Sequence, residues 1–200
     1  MYVILMLQFF LSMAFADIPG YTPQTGDIIA HTSQSSQSKM IQVGTMSKYS
    51  HVGVIFVNRD QVYVFEATGR TKYSTLENFI KRGEDENFTI LRYDEQDGLT
   101  DKQKNALRRT APKYKGSRYD LAFKWSDDKM YCSELVWKMY EDIGITLSKT
   151  RTMRSYNIWI PPIKDVMEQR WGGEVNMKEP VVAPKDIVKS RRLEVVFDNY

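Results

Sequence analysis

A second cysteine is missing. The 200 residues hold one cysteine, Cys132, and two histidines, His31 and His51. No intramolecular disulfide can therefore staple the chain, and neither paired-cysteine zinc frameworks nor a His-Glu-x-x-His helix is present. The sequence also lacks an arginine-rich arm, a phosphate-cradling glycine loop and a basic stripe with interleaved aromatics, so nucleic acid is not an expected partner. Charge of neither sign dominates. The 28 Lys and Arg and 25 Asp and Glu leave a net +3, a weak bias toward anionic surroundings such as a cell envelope. Repeats and low-complexity blocks are absent, and no signature calls for a metal or a cofactor.

What is present fits one folded domain. Hydrophobic residues make up 42% and charged residues 26%, ordinary values for a globular chain. The run Tyr2 to Phe15 is almost wholly apolar and too short to span a bilayer comfortably. Ala14-Phe15-Ala16 supplies small residues before Asp17. A signal peptide over residues 1–16 is expected, leaving an exported domain over 17–200, periplasmic or secreted. No Lys or Arg precedes the run, and a buried first helix is the alternative. In an oxidising compartment an unpaired cysteine has few uses besides reactivity.

The pattern along the chain mixes strands and helices. Asp27 to Thr32 reads as a strand and Ser36 to Thr45 as a short helix. Val52 to Val57 and Val62 to Ala67 form a hairpin across Asn58-Arg59-Asp60-Gln61. Leu76, Phe79 and Ile80 mark a short helix and Phe88 to Tyr93 a strand. Thr100 with Gln103 caps a helix through about Tyr114, stopped by Gly116. Leu135, Val136, Met139, Tyr140 and Ile143 give the next helix its apolar stripe, starting near Cys132 and ending at Gly144. Beyond Lys149 the pattern weakens: helices near 163–171 and after Pro184, then a strand over Leu193 to Phe197. The class is α+β, helices packed on an antiparallel sheet.

A thiol at a helix start meets the N–H groups and positive dipole end that stabilise a thiolate, and an imidazolium nearby adds to this. Cysteine is also among the most buried residue types, and on spacing alone both readings of Cys132 stand. Strand geometry links His51 to Glu66. If Asn58 pairs with Gln61, Gly53 faces Glu66 and His51 faces Thr68, making His51 and Glu66 diagonal neighbours about 7–8 Å apart at the backbone. Gly53 offers no side chain, so Glu66 has room to lean toward the ring and orient it. A solvated Glu beside a structural His is the competing reading. His31, alternating with Ile29, is expected at the surface or a pocket rim. Glu77, Glu84, Asp85 and Glu86 read as a solvated acidic edge. Tyr119, Phe123, Trp125 and Tyr131 read mostly as core, with Tyr131 placed to line a substrate pocket. The Cys132 N–H is a natural oxyanion donor; sequence does not locate a second.

Together, Thr25-Gly26-Asp27-Ile28-Ile29, Ser50-His51-Val52-Gly53, Val64-Phe65-Glu66-Ala67 and the segment from Trp125-Ser126-Asp127-Asp128 through Tyr131-Cys132-Ser133-Glu134 resemble the YiiX-like permuted papain-like amidases, relatives of NlpC-type cell-wall peptidases. The resemblance runs from about Pro23 to Gly144. It implies a circularly permuted papain-like fold, with His51 preceding the cysteine in chain order. It also implies Cys132 as nucleophile, His51 as general base and Glu66 as its orienting residue. The expected function is amide hydrolysis by a cysteine hydrolase, on peptidoglycan-derived peptides or similar small amides. Acyl-lipid hydrolysis or acyl transfer, as in relatives resembling lecithin:retinol acyltransferase, is the nearest alternative. A non-catalytic envelope binding module is another.

Overall fold

The computed structural model describes residues 18–59 and 61–200. The expected signal peptide over 1–16 lies outside them. Among the described residues no helix is long and apolar enough to cross a membrane.

The frame is one sheet whose central strands are β1 (Ile28–Ser33), β2 (His51–Asn58) and β3 (Gln61–Thr68). β4 (Arg70–Thr75) extends it on one side. On the other come β5 (Gly83–Tyr93) and β10 (Leu193–Asp198). The order β10-β5-β1-β2-β3-β4 is antiparallel throughout, and two short strands, β6 (Arg118–Tyr119) and β7 (Lys129–Met130), continue past β4, pairing with each other in parallel. β2 carries an almost unbroken apolar run because both its faces are covered. Val52, Val54 and Phe56 enter one core with Phe65, Leu107, Leu135 and Met139, while Ile55 enters a second with Ile29, Val64, Leu76 and Phe79.

Helices close each face. α4 (Cys132–Glu141) and α3 (Asp101–Tyr114) cover the first, and α2 (Leu76–Ile80) the second. α3 starts at the capping box expected of Thr100 and Gln103. α1 (Ser38–Thr45) follows β1 as read from the sequence. β4 is the strand that sequence reasoning missed. Its segment Arg-Thr-Lys-Tyr-Ser-Thr has no apolar alternation, and it is extended because β3 pairs with it from Tyr63 opposite Thr75 to Thr68 opposite Arg70.

The last fifty residues belong to the same domain. β10 completes the sheet edge beside β5. α5 (Pro161–Trp171), α6 (Pro184–Val188) and a two-stranded ribbon of β8 (Arg151–Thr152) and β9 (Pro180–Val181) build a third apolar cluster against Tyr131.

The hairpin register is the one expected, with Asn58 opposite Gln61 and Val54 opposite Phe65. Gly53 is required by close approach. A Cβ there would lie 2.4 Å from a Val64 methyl, 3.1 Å from the Phe65 carbonyl oxygen and 3.3 Å from the Glu66 Cβ. Gly53→Ala is therefore expected to destabilise the fold by about 1–3 kcal/mol through overpacking. Chemical denaturation checks this, and an unshifted midpoint would contradict it.

Candidate active site

Tyr131 is extended at φ −99° and ψ 164°, and helical geometry begins at Cys132. The thiol thus sits in the first turn, where backbone N–H groups lack helical partners and the dipole is positive. Glu134 steadies this start by accepting the Tyr131 N–H at 3.4 Å. Burial pushes the Glu134 carboxyl up to about 7 against the pull of Lys138, whose Nζ lies 2.9 Å away. Leu135, Val136, Met139 and Tyr140 bury the stripe that docks the helix on β2 and β3.

His51 opens β2 and reaches the thiol from across the sheet. By alternation with Gly53 and Ile55 it belongs to the α2 face, whereas Cys132 comes from the helix on the other. They meet at the end of β2, where the Val52 N–H also hydrogen-bonds to the sulfur. His51 Nε2 donates to Glu66 Oε2 at 2.6 Å, which leaves Nδ1 as the nitrogen for the sulfur. The other carboxylate oxygen of Glu66 accepts from the Arg82 guanidinium. The three residues singled out from the sequence are therefore brought together, with exposures of 2% for Cys132, 7% for His51 and 0% for Glu66.

Their electrostatics form a relay of opposite charges. Burial alone would raise the Cys132 thiol, but the His51 charge, its hydrogen bond, the Val52 N–H and the Tyr119 hydroxyl outweigh it, and the thiol is lowered. Burial likewise opposes charge on His51. The Cys132 sulfur and the Glu66 carboxylate more than offset this and hold the ring up at about 9. Glu66, which burial would also raise, is pulled down to about 2 by His51, Arg82 and Ser74. Between these values the stable arrangement is a thiolate–imidazolium pair backed by a carboxylate.

Tyr119 is the site residue that sequence reasoning set aside as core. Its hydroxyl hydrogen-bonds to the Cys132 sulfur and in turn receives a hydrogen bond from the Gln37 side chain. Burial, then the nearby sulfur, raise its pKa well above the ordinary tyrosine value, so it remains a phenol able to donate. Its place in the aromatic cluster before the thiol was a signal, but spacing cannot separate a packing ring from a donating one. Tyr131, by contrast, is buried, and its hydroxyl accepts the Val182 N–H at 3.3 Å.

His31 corrects an expectation. It is 0% exposed rather than at the surface, and sits opposite His51 in the β1–β2 register. It stacks on Phe79 at a centroid distance of 4.3 Å, and its ring nitrogens have no partner among the described residues. Burial, together with the charges of His51 and Arg82, lowers it to about 2. His31 is a neutral ring packed beside the charged one.

Two openings flank the pair. An apolar cavity of about 60 Å³ is lined by Cys132, Tyr131, Phe123, Met153, Tyr156 and Val182, among others. Most of its wall comes from the chain after Lys149, which settles that segment as a pocket wall. A larger polar cleft of about 550 Å³ is bordered by His51, Tyr119 and Gln37.

The chain was compared with known proteins. A family model described as "Permuted papain-like amidase enzyme, YaeF/YiiX, C92 family" matches residues 22–197. The uncharacterized protein YiiX of Escherichia coli (strain K12) is 37% identical over 177 residues, 88% of this chain and 87% of that protein. A crystal structure of metalloprotein yiiX from Escherichia coli O157:H7 has the same fold, with a TM-score of 0.85 and 37% identity over 90% of this chain and 99% of that one. The word metalloprotein belongs to that structure. Among the described residues here no three His, Cys, Asp or Glu side chains converge as a metal would need, so the residues do not fit a metal and no chemistry is derived through one.

The charge relay has a direct consequence for reactivity. Alkylation of Cys132 by iodoacetamide is expected to rise with an inflection below that of a free thiol, and His51→Ala should move it upward. Rates followed by intact mass across pH check this, and identical profiles for the two proteins would contradict the pairing.

Proposed function

The chain belongs to the permuted papain-like amidase family and is a cysteine hydrolase, and from that premise we propose that it cleaves an amide bond with Cys132, His51 and Glu66 as its triad. The observation that carries this is the buried chain of contacts from the thiol through the imidazole to Glu66 Oε2, 2.6 Å from His51 Nε2.

The steps follow from the charges. The Cys132 thiolate attacks the carbonyl carbon, and the carbonyl π electrons move onto oxygen. The Cys132 N–H at the helix start and the Tyr119 hydroxyl are the donors nearest the sulfur able to receive that oxyanion. As the C–N bond breaks, His51 passes its Nδ1 proton to the departing amine, leaving a thioester on Cys132. Neutral His51 then takes a proton from water, hydroxide displaces the thiolate, and a carboxylic acid leaves. Glu66 holds the ring throughout and balances its charge, with Arg82 fixing the carboxylate from behind.

The cavities bear on what is cleaved. The apolar cavity that meets Cys132 has room for about four water-sized groups, a short apolar side chain. The shape favours a peptide or small amide over a long acyl chain, with Tyr131 as part of the wall against which that group packs. We place the activity outside the cytoplasm, on peptides of the cell envelope, from the apolar segment Tyr2 to Phe15 and its small-residue ending.

Peptidoglycan-derived peptides and an N-acyl lipid amide are the substrates to compare, with the thioester on Cys132 identified by intact mass. Cys132→Ala should abolish turnover, and His51→Ala should lower kcat/KM by about 10²–10⁴-fold. Activity should fall as pH passes about 9, where His51 loses the proton it must donate. Turnover surviving in Cys132→Ala would end this proposal.

A further inference from the structure

The polar cleft beside His51 holds three arginines, Arg70, Arg82 and Arg118, and no Asp or Glu lines it. At about 550 Å³ it falls within the usual range of small-molecule sites. Arg82 already has a partner in Glu66. The other two do not. Arg70 donates to the Gly116 carbonyl at 2.8 Å. Among the described residues neither Arg70 nor Arg118 is ion-paired with a carboxylate. Both are exposed, and they stand directly opposite each other where β4 pairs with β6. Like charges facing across a strand pair are destabilising. An anion with two oxygens, bridging the two guanidinium groups, would reverse the sign of that interaction.

Chemistry says which half of the substrate would carry the anion. The departing amine must take its proton from His51, which borders this cleft, whereas Cys132 borders the apolar cavity. We infer that the amine half of the substrate bears a carboxylate or phosphate held by Arg70 and Arg118. The substrate is then an amide joining a small apolar acyl group to an anionic amine, such as an amino acid, a peptide end or an aminoalkyl phosphate. This rests on the Cys132–His51 hydrolase reading for its direction.

Three alkylating labels test it without turnover: bromoacetyl-β-alanine, its neutral β-alaninamide twin and bromoacetyl-aminoethyl phosphate. In each, the Cys132 sulfur forms a bond to the bromoacetyl carbon as bromide leaves with the C–Br electron pair. Rates of Cys132 labelling at low salt are read by intact mass. At least one anionic label is expected to react about tenfold faster than the neutral twin, the scale of one charge-assisted hydrogen bond. That ratio should fall toward one in Arg70→Gln and Arg118→Gln and shrink as salt is raised. The anionic label that gains identifies carboxylate or phosphate as the group. Equal rates for all three labels, or a preference that survives in the double variant, would overturn the inference. Should the variants misfold, a salt-insensitive preference in the unmodified protein would do the same. A preference that persists while Cys132 titrates as an ordinary thiol independent of His51 would instead sink the hydrolase reading and leave the anion cleft standing.

Discussion

The site depends on the register of the β2–β3 hairpin. Side chains alternate faces along a strand, so a slip of one residue would turn Glu66 away from His51 and leave a carboxylate buried without its partner. The register is held from several sides. Phe65 and Val64 are sorted into different cores, and Gly53 leaves no room for a side chain between β2 and Glu66. On the other flank β1 pairs with β2 down to His31 opposite His51. Packing on both faces of the sheet thus determines the position of one hydrogen bond.

That bond matters because the surroundings are dry. Removing water penalises every charge at the site, and each of the three groups would sit closer to neutral if buried alone. In sequence from Cys132 to His51 to Glu66 to Arg82, each charge is stabilised by the next of opposite sign. The chain ends at a half-exposed guanidinium, where solvent takes up the remainder. His31, with no such neighbour to favour its charged form, is neutral although it lies next to His51. Two imidazoles in one environment therefore differ in charge because of a single carboxylate and a single sulfur.

The surroundings are as asymmetric as the pair. One side of the thiol is walled by apolar side chains of the C-terminal segment, and the His51 side opens into a polar, cationic cleft. A reaction that splits a molecule into an acyl half and an amine half has use for that difference, since the proton donor stands on one side only. The C-terminal segment thereby joins the chemistry without contributing a reacting group.

The sequence by itself determined the chemical identities and the local frame. The lone Cys132 at a helix start, the helix-capping pair Thr100 and Gln103, and the pairing of Asn58 with Gln61 were legible because each rests on neighbours a few residues apart. From that pairing the nearness of His51 and Glu66 followed by counting. Tertiary structure alone decided what depends on distant segments: the extended state of β4, borrowed from β3; the burial of His31 under Phe79; the Tyr119 hydroxyl over the sulfur; and the cavity wall built by Met153, Tyr156 and Val182. A side chain's charge and partners are set by which groups exclude water around it, and residues far apart in the chain carry no periodic trace of that.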